Sequence, residues 1–138
     1  EILRKYRLHG CTDVTGFGFL GHLCEMVTDQ ATARIYKEKV PYIPECEDYV
    51  EEFYLTAAAQ RNRNHVQDKV EFRNCSFATE EILYDPQTSG GLRTAAMALR
   101  DDSCRIDDPV LEELEKLGLP CGVVGEILPK QEKAVIIQ

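Results

Sequence analysis

Residues 11–18 read Cys-Thr-Asp-Val-Thr-Gly-Phe-Gly, and an apolar stripe at helical spacing follows at Leu20, Leu23, Cys24 and Val27. In a chain with that order a helix is expected to start at the motif. We expect this helix over residues 15–28, with the Thr15 hydroxyl as its N-cap. The first turn of a helix leaves backbone N–H groups without partners, and together with the helix dipole they attract anions such as phosphate. Gly16 and Gly18 let a ligand approach the backbone closely. Asp13 is a hard oxygen ligand of the kind Mg²⁺ uses, with phosphate oxygens and water completing the shell. The same residues also suit a second reading, in which Asp13 and Thr15 only cap a helix and the glycines only ease packing.

A second turn-forming stretch follows at Asp85-Pro86-Gln87-Thr88-Ser89-Gly90-Gly91. Asp-Pro starts turns, Gly-Gly permits positive φ, and successive N–H groups in such a turn can form a nest for an anion. Taken alone, this stretch is better explained as a tight structural turn.

At 138 residues, 43 % of them apolar, the chain fits one domain over residues 1–138 with a real core. A net charge of −8 argues against nucleic acid as a partner, because phosphate backbones are bound by clustered Lys and Arg. The densest basic group, Arg61, Arg63, Lys69 and Arg73, is interleaved with acids and reads as a solvated face. No apolar run approaches the roughly 20 residues that span a bilayer, so no membrane partner is expected. No signal peptide is visible and the first residue is not Met. We therefore expect the chain to be cut from a longer cytoplasmic protein. The six cysteines are widely spaced, form no Cys-x-x-Cys, and read as free thiols.

Further along, residues 31–36 suggest a strand, and Pro41 and Pro44 break the chain. A second helix is expected over 45–59, with Val50, Phe53, Tyr54 and Ala57 on its buried face. Residues 70–72 suggest a short strand, and 92–98 fit either a strand or a helix. A third helix is expected after a cap at Asp107 or Asp108. Pro109 lies in its first turn, Val110, Leu111, Leu114 and Leu117 face inward, and Gly118 ends it. Residues 120–128 and 133–137 read as two strands of a hairpin. The pattern predicts an α+β fold, a mixed β-sheet with packed helices. Among the histidines, His22 reads as a hydrogen-bonded structural residue, His9 lies near the first motif, and His65 lies in an exposed polar run. No P-loop and no Ser/His/Asp spacing occurs.

Together, Cys11–Gly18, continued by Leu20-Gly21-His22-Leu23, and Asp85–Leu92 resemble two signatures of the selenophosphate synthetase (selenide, water dikinase) family, in its C-terminal domain. Arg61-Asn62 with Val70-Glu71-Phe72 is similar to a third, and Gly122–Glu126 resembles the closing strand. The resemblance covers nearly the whole chain. It extends to a wider group with aminoimidazole ribonucleotide synthetase, thiamine-monophosphate kinase and a hydrogenase-maturation protein, from which Asp-Pro-Gln-Thr-Ser-Gly-Gly separates the selenium enzyme.

The resemblance implies conversion of ATP, selenide and water to selenophosphate, AMP and orthophosphate, for selenocysteine and selenouridine synthesis. It implies ATP and Mg²⁺ as ligands, Asp13 as a metal ligand, and a homodimer. It implies phosphate contacts from Thr12, Thr15, Gly16, Phe17 and Gly18, and from Thr88, Ser89, Gly90 and Gly91. The nucleophilic Cys or selenocysteine, an essential Lys and the other metal ligands would belong to an N-terminal domain absent from this chain. No catalytic residue is expected here, and the isolated chain is expected to be inactive. One departure stands out. Where the family carries a glycine-containing stretch before Arg-Asn, this chain reads Ala57-Ala58-Ala59-Gln60. Either the second helix continues through these residues or the loop has another shape. Two rival readings are a superfamily kinase or synthetase acting on another small molecule, and a non-catalytic regulatory module.

Overall fold

The computed structural model describes residues 2–6, 8–27, 29–86, 96–100, 109–118 and 121–138. Its regular elements in chain order are β1 (Leu8–Asp13), α1 (Gly18–Met26), β2 (Ala31–Ile35), α2 (Cys46–Glu51), α3 (Ala57–Val66), β3 (Val70–Phe72), α4 (Phe77–Tyr84), β4 (Ala96–Arg100), α5 (Pro109–Glu115), β5 (Gly125–Pro129) and β6 (Val135–Ile137). The main sheet runs β3-β6-β2-β5, and β1 with β4 forms a separate antiparallel pair. β2 is antiparallel to β5 and parallel to β6, so the sheet is mixed. The α+β expectation holds.

The stripe on α1 is the centre of the core. Leu20, Leu23, Cys24 and Val27 are all buried, and they pack with Ala33 and Ile35 of β2, Val135 and Ile137 of β6, and Leu83 and Tyr84 of α4. Each such aliphatic side chain contributes roughly 1.5–3 kcal/mol when fully buried. This is why a nine-residue helix holds its place without a side-chain cap.

β5 and β6 do not form the expected hairpin. β2 lies between them, pairing Ala33 with Ile127 on one edge and with Val135 on the other. Thr32, fully buried on β2, holds the connection around the strand end. Its hydroxyl donates to the Lys133 carbonyl and accepts from the Gln131 N–H. A polar turn between two strands is also what a crossing of this kind needs, and only the partner strand distinguishes the two.

The helix expected over 45–59 is two helices. α2 ends after Glu51, and Phe53 takes a left-handed conformation at φ 64°, which a bulky residue adopts only in a turn. The chain restarts at Thr56, whose hydroxyl accepts from the Ala59 N–H at 3.0 Å. Ala57–Gln60 therefore form the first turn of α3, where alanine is favoured and a glycine loop has no place. Phe53 and Tyr54, expected on a buried face, are 76 % and 69 % exposed.

α4 is not foreseen from the sequence. It is short and is capped by Ser76, whose hydroxyl accepts from the Thr79 N–H. Residues 96–100 resolve the ambiguity of the 92–98 stretch in favour of a strand, while 92–95 lie outside the described residues. On α5 Val110 is buried, but Leu117, expected to face inward, lies in the turn after Glu115 and is exposed, and Gly118, at φ 67°, closes that turn. Asp107 and Asp108, expected to cap it, lie outside the described residues.

Candidate functional site

β1 ends on Asp13, which is exposed and pairs with Ala96 at the start of β4. The chain then turns through Gly16 and Phe17, closed by a bond from the Gly18 N–H to the Thr15 carbonyl at 3.0 Å. The helix opens only there, three residues later than expected. Thr15 is not its cap, because the Thr15 hydroxyl lies 3.1 Å from Nε2 of His22 instead. The Thr12 hydroxyl donates to the Asp13 carbonyl. His22 is nine-tenths buried, as a structural histidine should be, and its Nδ1 lies 3.4 Å from a Glu25 carboxylate oxygen. His22 also packs against the Phe17 ring, which lies near the exposed His65 as well. His9, on β1, is exposed.

A cleft of about 360 Å³ opens beside this turn. It is lined by Gly10, Cys11, Thr12, His22, Glu25 and Met26. Among the described residues no group of three or more His, Cys, Asp or Glu side chains could hold a metal ion. Among these residues the donor set fits a cation whose ligands are shared with other groups. Asp13 offers one exposed carboxylate, and further ligands would come from phosphate oxygens, water or another polypeptide segment.

The first motif meets the end of α4, where the second begins. Gly18 has φ 69°, and a Cβ there would lie 2.7 Å from the Tyr84 carbonyl oxygen and 2.8 Å from that of Asp85. Asn62, on α3 and 7 % exposed, joins the same two segments. Its side-chain amide donates to the Gly16 carbonyl at 3.0 Å and to the Tyr84 carbonyl at 2.9 Å. Thr56 also donates to Asp85, at 2.8 Å, while capping α3. Burial raises the Asp85 carboxyl above its ordinary value, and the Thr56 bond opposes the shift. The described residues on either side of 87–95 are thus both anchored to the first motif, Asp85 beside Gly18 and Ala96 opposite Asp13. Thr88, Ser89, Gly90 and Gly91 themselves lie outside the described residues.

The basic group on α3 and β3 is only partly a solvated face. Arg61 and Lys69 are exposed, and Arg73 pairs with Glu71. Arg63 is half-buried, bonded to Glu80 and Glu81, and stacked over the Tyr84 ring at 4.6 Å. Burial pushes the Tyr84 phenol up to about 12, against the opposing charge of Arg63. This network holds α4 against α3 and so sets where the second motif starts. The sequence marks Asn62 only as part of a third signature, with no place in the site, and does not single out Thr56 at all. For Thr56 the signal was present, a hydroxyl residue directly before a run of alanines.

The family model described as AIR synthase related protein, C-terminal domain, matches residues 1–80. A protein of Agathobacter rectalis named "Selenide, water dikinase" is 47 % identical over 99 % of this chain, which spans 39 % of that relative. A protein of the same name from Desulfitobacterium hafniense is 36 % identical over 99 % of the chain. "Selenide, water dikinase 2" of Peptoclostridium acidaminophilum is 33 % identical, with the chain spanning 38 % of its length. With a family model matched over more than half of its residues, and similarity along its whole length to part of proteins of one name, this chain belongs to the AIR synthase related family as a C-terminal domain of the selenide, water dikinase kind.

Proposed function

We propose that this chain is the C-terminal domain of an ATP-dependent selenophosphate synthetase, a protein that converts ATP, selenide and water to selenophosphate, AMP and orthophosphate. The observation that carries this reading is similarity along the whole chain to proteins named selenide, water dikinase, coupled to a geometry that ties the Asp13 turn to the Asp85 segment. Phosphoryl transfer needs charge neutralisation and positioning more than covalent help from the protein. Mg²⁺, when bound with ATP, would supply that neutralisation. Asp13 would give it one oxygen ligand, and the N–H groups of residues 15–17 would face the phosphates, while that of Gly18 closes the turn on Thr15. Thr88, Ser89, Gly90 and Gly91 would line the same cleft. The remaining metal ligands, the nucleophile and the essential Lys would come from an N-terminal domain, in a cytoplasmic homodimer.

The test is selenide-dependent AMP formation by the intact protein, wild type beside Asp13→Asn. Loss of about a hundredfold or more is expected, on the scale of removing a group that stabilises transition-state charge. The Asp13 side chain is exposed, so the variant should keep its fold within about 0.5 kcal/mol. Wild-type activity that survives the substitution would reduce Asp13 to a turn residue. A wild type that turns over ATP without regard to selenide would move the chain to another kinase or synthetase of the superfamily. The 138-residue chain alone is expected to make no AMP.

A further inference from the structure

Asn62 holds two backbone carbonyls, that of Gly16 in the first motif and that of Tyr84 directly before the second. We infer that Asn62 is a positioning residue: by fixing the Gly16 and Tyr84 carbonyls, it turns the Phe17 N–H outward and sets the spacing between the two turn segments. This inference rests on the synthetase reading above.

The peptide bond is planar and trans, so a C=O and the next N–H point in opposite directions. The Gly16 carbonyl points inward to Asn62, at 3.0 Å. The N–H of Phe17 must therefore point away from the core. Phe17 is 53 % exposed, and its N–H has no backbone acceptor among the described residues. Among the described residues nothing accepts from it, and it lies at the opening of α1, in the turn that follows Asp13.

The second bond, to the Tyr84 carbonyl at 2.9 Å, is made by the same nitrogen. Gly18 packs against that same carbonyl. One amide thus fixes the turn and the end of α4 to each other. Few side chains can do this. A primary amide offers two donors from one nitrogen, a carboxylate offers none, and an aliphatic group would leave both carbonyls without a partner. Nothing in the packing of α3 alone requires an amide here, since its other buried residues, Ala59 and Val66, are apolar.

The experiment compares Asn62→Asp, Asn62→Gln and Val66→Ala in the intact protein. Val66 is buried on the same helix, and neither of the two carbonyls bonds to it. Binding of Mg·ATP is measured by calorimetry without selenide, thermal midpoints are recorded, and the Phe17 amide is followed by ¹⁵N NMR. Asn62→Asp is expected to weaken Kd about tenfold relative to a Val66→Ala protein of similar midpoint, the scale of one lost hydrogen bond to a buried group. Asn62→Gln keeps the donors but displaces them. It should weaken Kd by about threefold and shift the Phe17 amide resonance, which Val66→Ala should leave in place. If Asn62→Asp does not fold, Asn62→Gln decides alone. A wild-type Kd and an unmoved Phe17 resonance in Asn62→Gln would overturn the inference, as would equal weakening in Val66→Ala. Should the wild type bind Mg·ATP in an Asn62-dependent way yet make no AMP from selenide, the positioning role stands and the synthetase reading falls. A wild type that binds no Mg·ATP overturns both.

Discussion

Gly18 and Tyr84 meet backbone to backbone, with room for a hydrogen at Gly18 but not for a carbon. A Cβ would lie 2.7 Å from the Tyr84 carbonyl oxygen, and φ at Gly18 is 69°. Gly18→Ala therefore brings two costs. The left-handed conformation alone costs roughly 1–2 kcal/mol for a residue with a Cβ, and the end of α4 must also move. We predict a lower urea midpoint for Gly18→Ala, with weaker Mg·ATP binding as the two segments separate. A wild-type midpoint would mean that the end of α4 yields without resistance.

Asp85 gives the fold a pH dependence of defined sign. Burial raises its carboxyl above the ordinary value of 3.8, with the Thr56 hydroxyl opposing the shift. A carboxyl raised in the folded state contributes stability that is fully present below the unfolded value and is lost as pH climbs through the folded one. Ionised Asp85 thus weakens the fold at neutral pH. Asp85→Asn removes the charge and keeps an oxygen to accept from Thr56. The urea midpoint of Asp85→Asn should exceed that of the wild type at about pH 7, and the gap should close below about pH 4. The reverse order at neutral pH would mean that the carboxylate is engaged by a cation.

Two cysteines should differ sharply in reactivity. Cys11 is exposed on β1 at the mouth of the cleft. Cys24 is buried on α1, and burial pushes its thiol up to about 11. Since the thiolate is the reactive form, iodoacetamide at about pH 8 should label Cys11 in the native protein and Cys24 only after denaturation. Peptide mass spectrometry reads the two sites separately. Comparable native labelling at Cys24 would reveal local opening of α1.

Local signals in the sequence were enough to define the first motif and the helix after it. The stripe Leu20, Leu23, Cys24 and Val27 is the core face because helical spacing and side-chain hydrophobicity are both properties of a short stretch of chain. The strands at residues 31–35 and 70–72, the glycine turn after α5 and the mixed α+β composition follow from equally local patterns. The errors share one cause. A turn between β5 and β6 looks the same whether the strands pair or another strand separates them, and it is the fit of β2 between them that decides. Phe53 and Tyr54 continue a helical pattern in sequence, yet the chain leaves the helix before them and caps a new one at Thr56. Thr15 has the chemistry of an N-cap, but buried His22 takes its hydroxyl. Asn62 stands out in sequence only as part of the Arg61-Asn62 signature, which assigns it no contact. Tertiary structure alone brings the Gly16 and Tyr84 carbonyls to one amide, because two carbonyls facing a core need donors and α3 is packed where it can supply them.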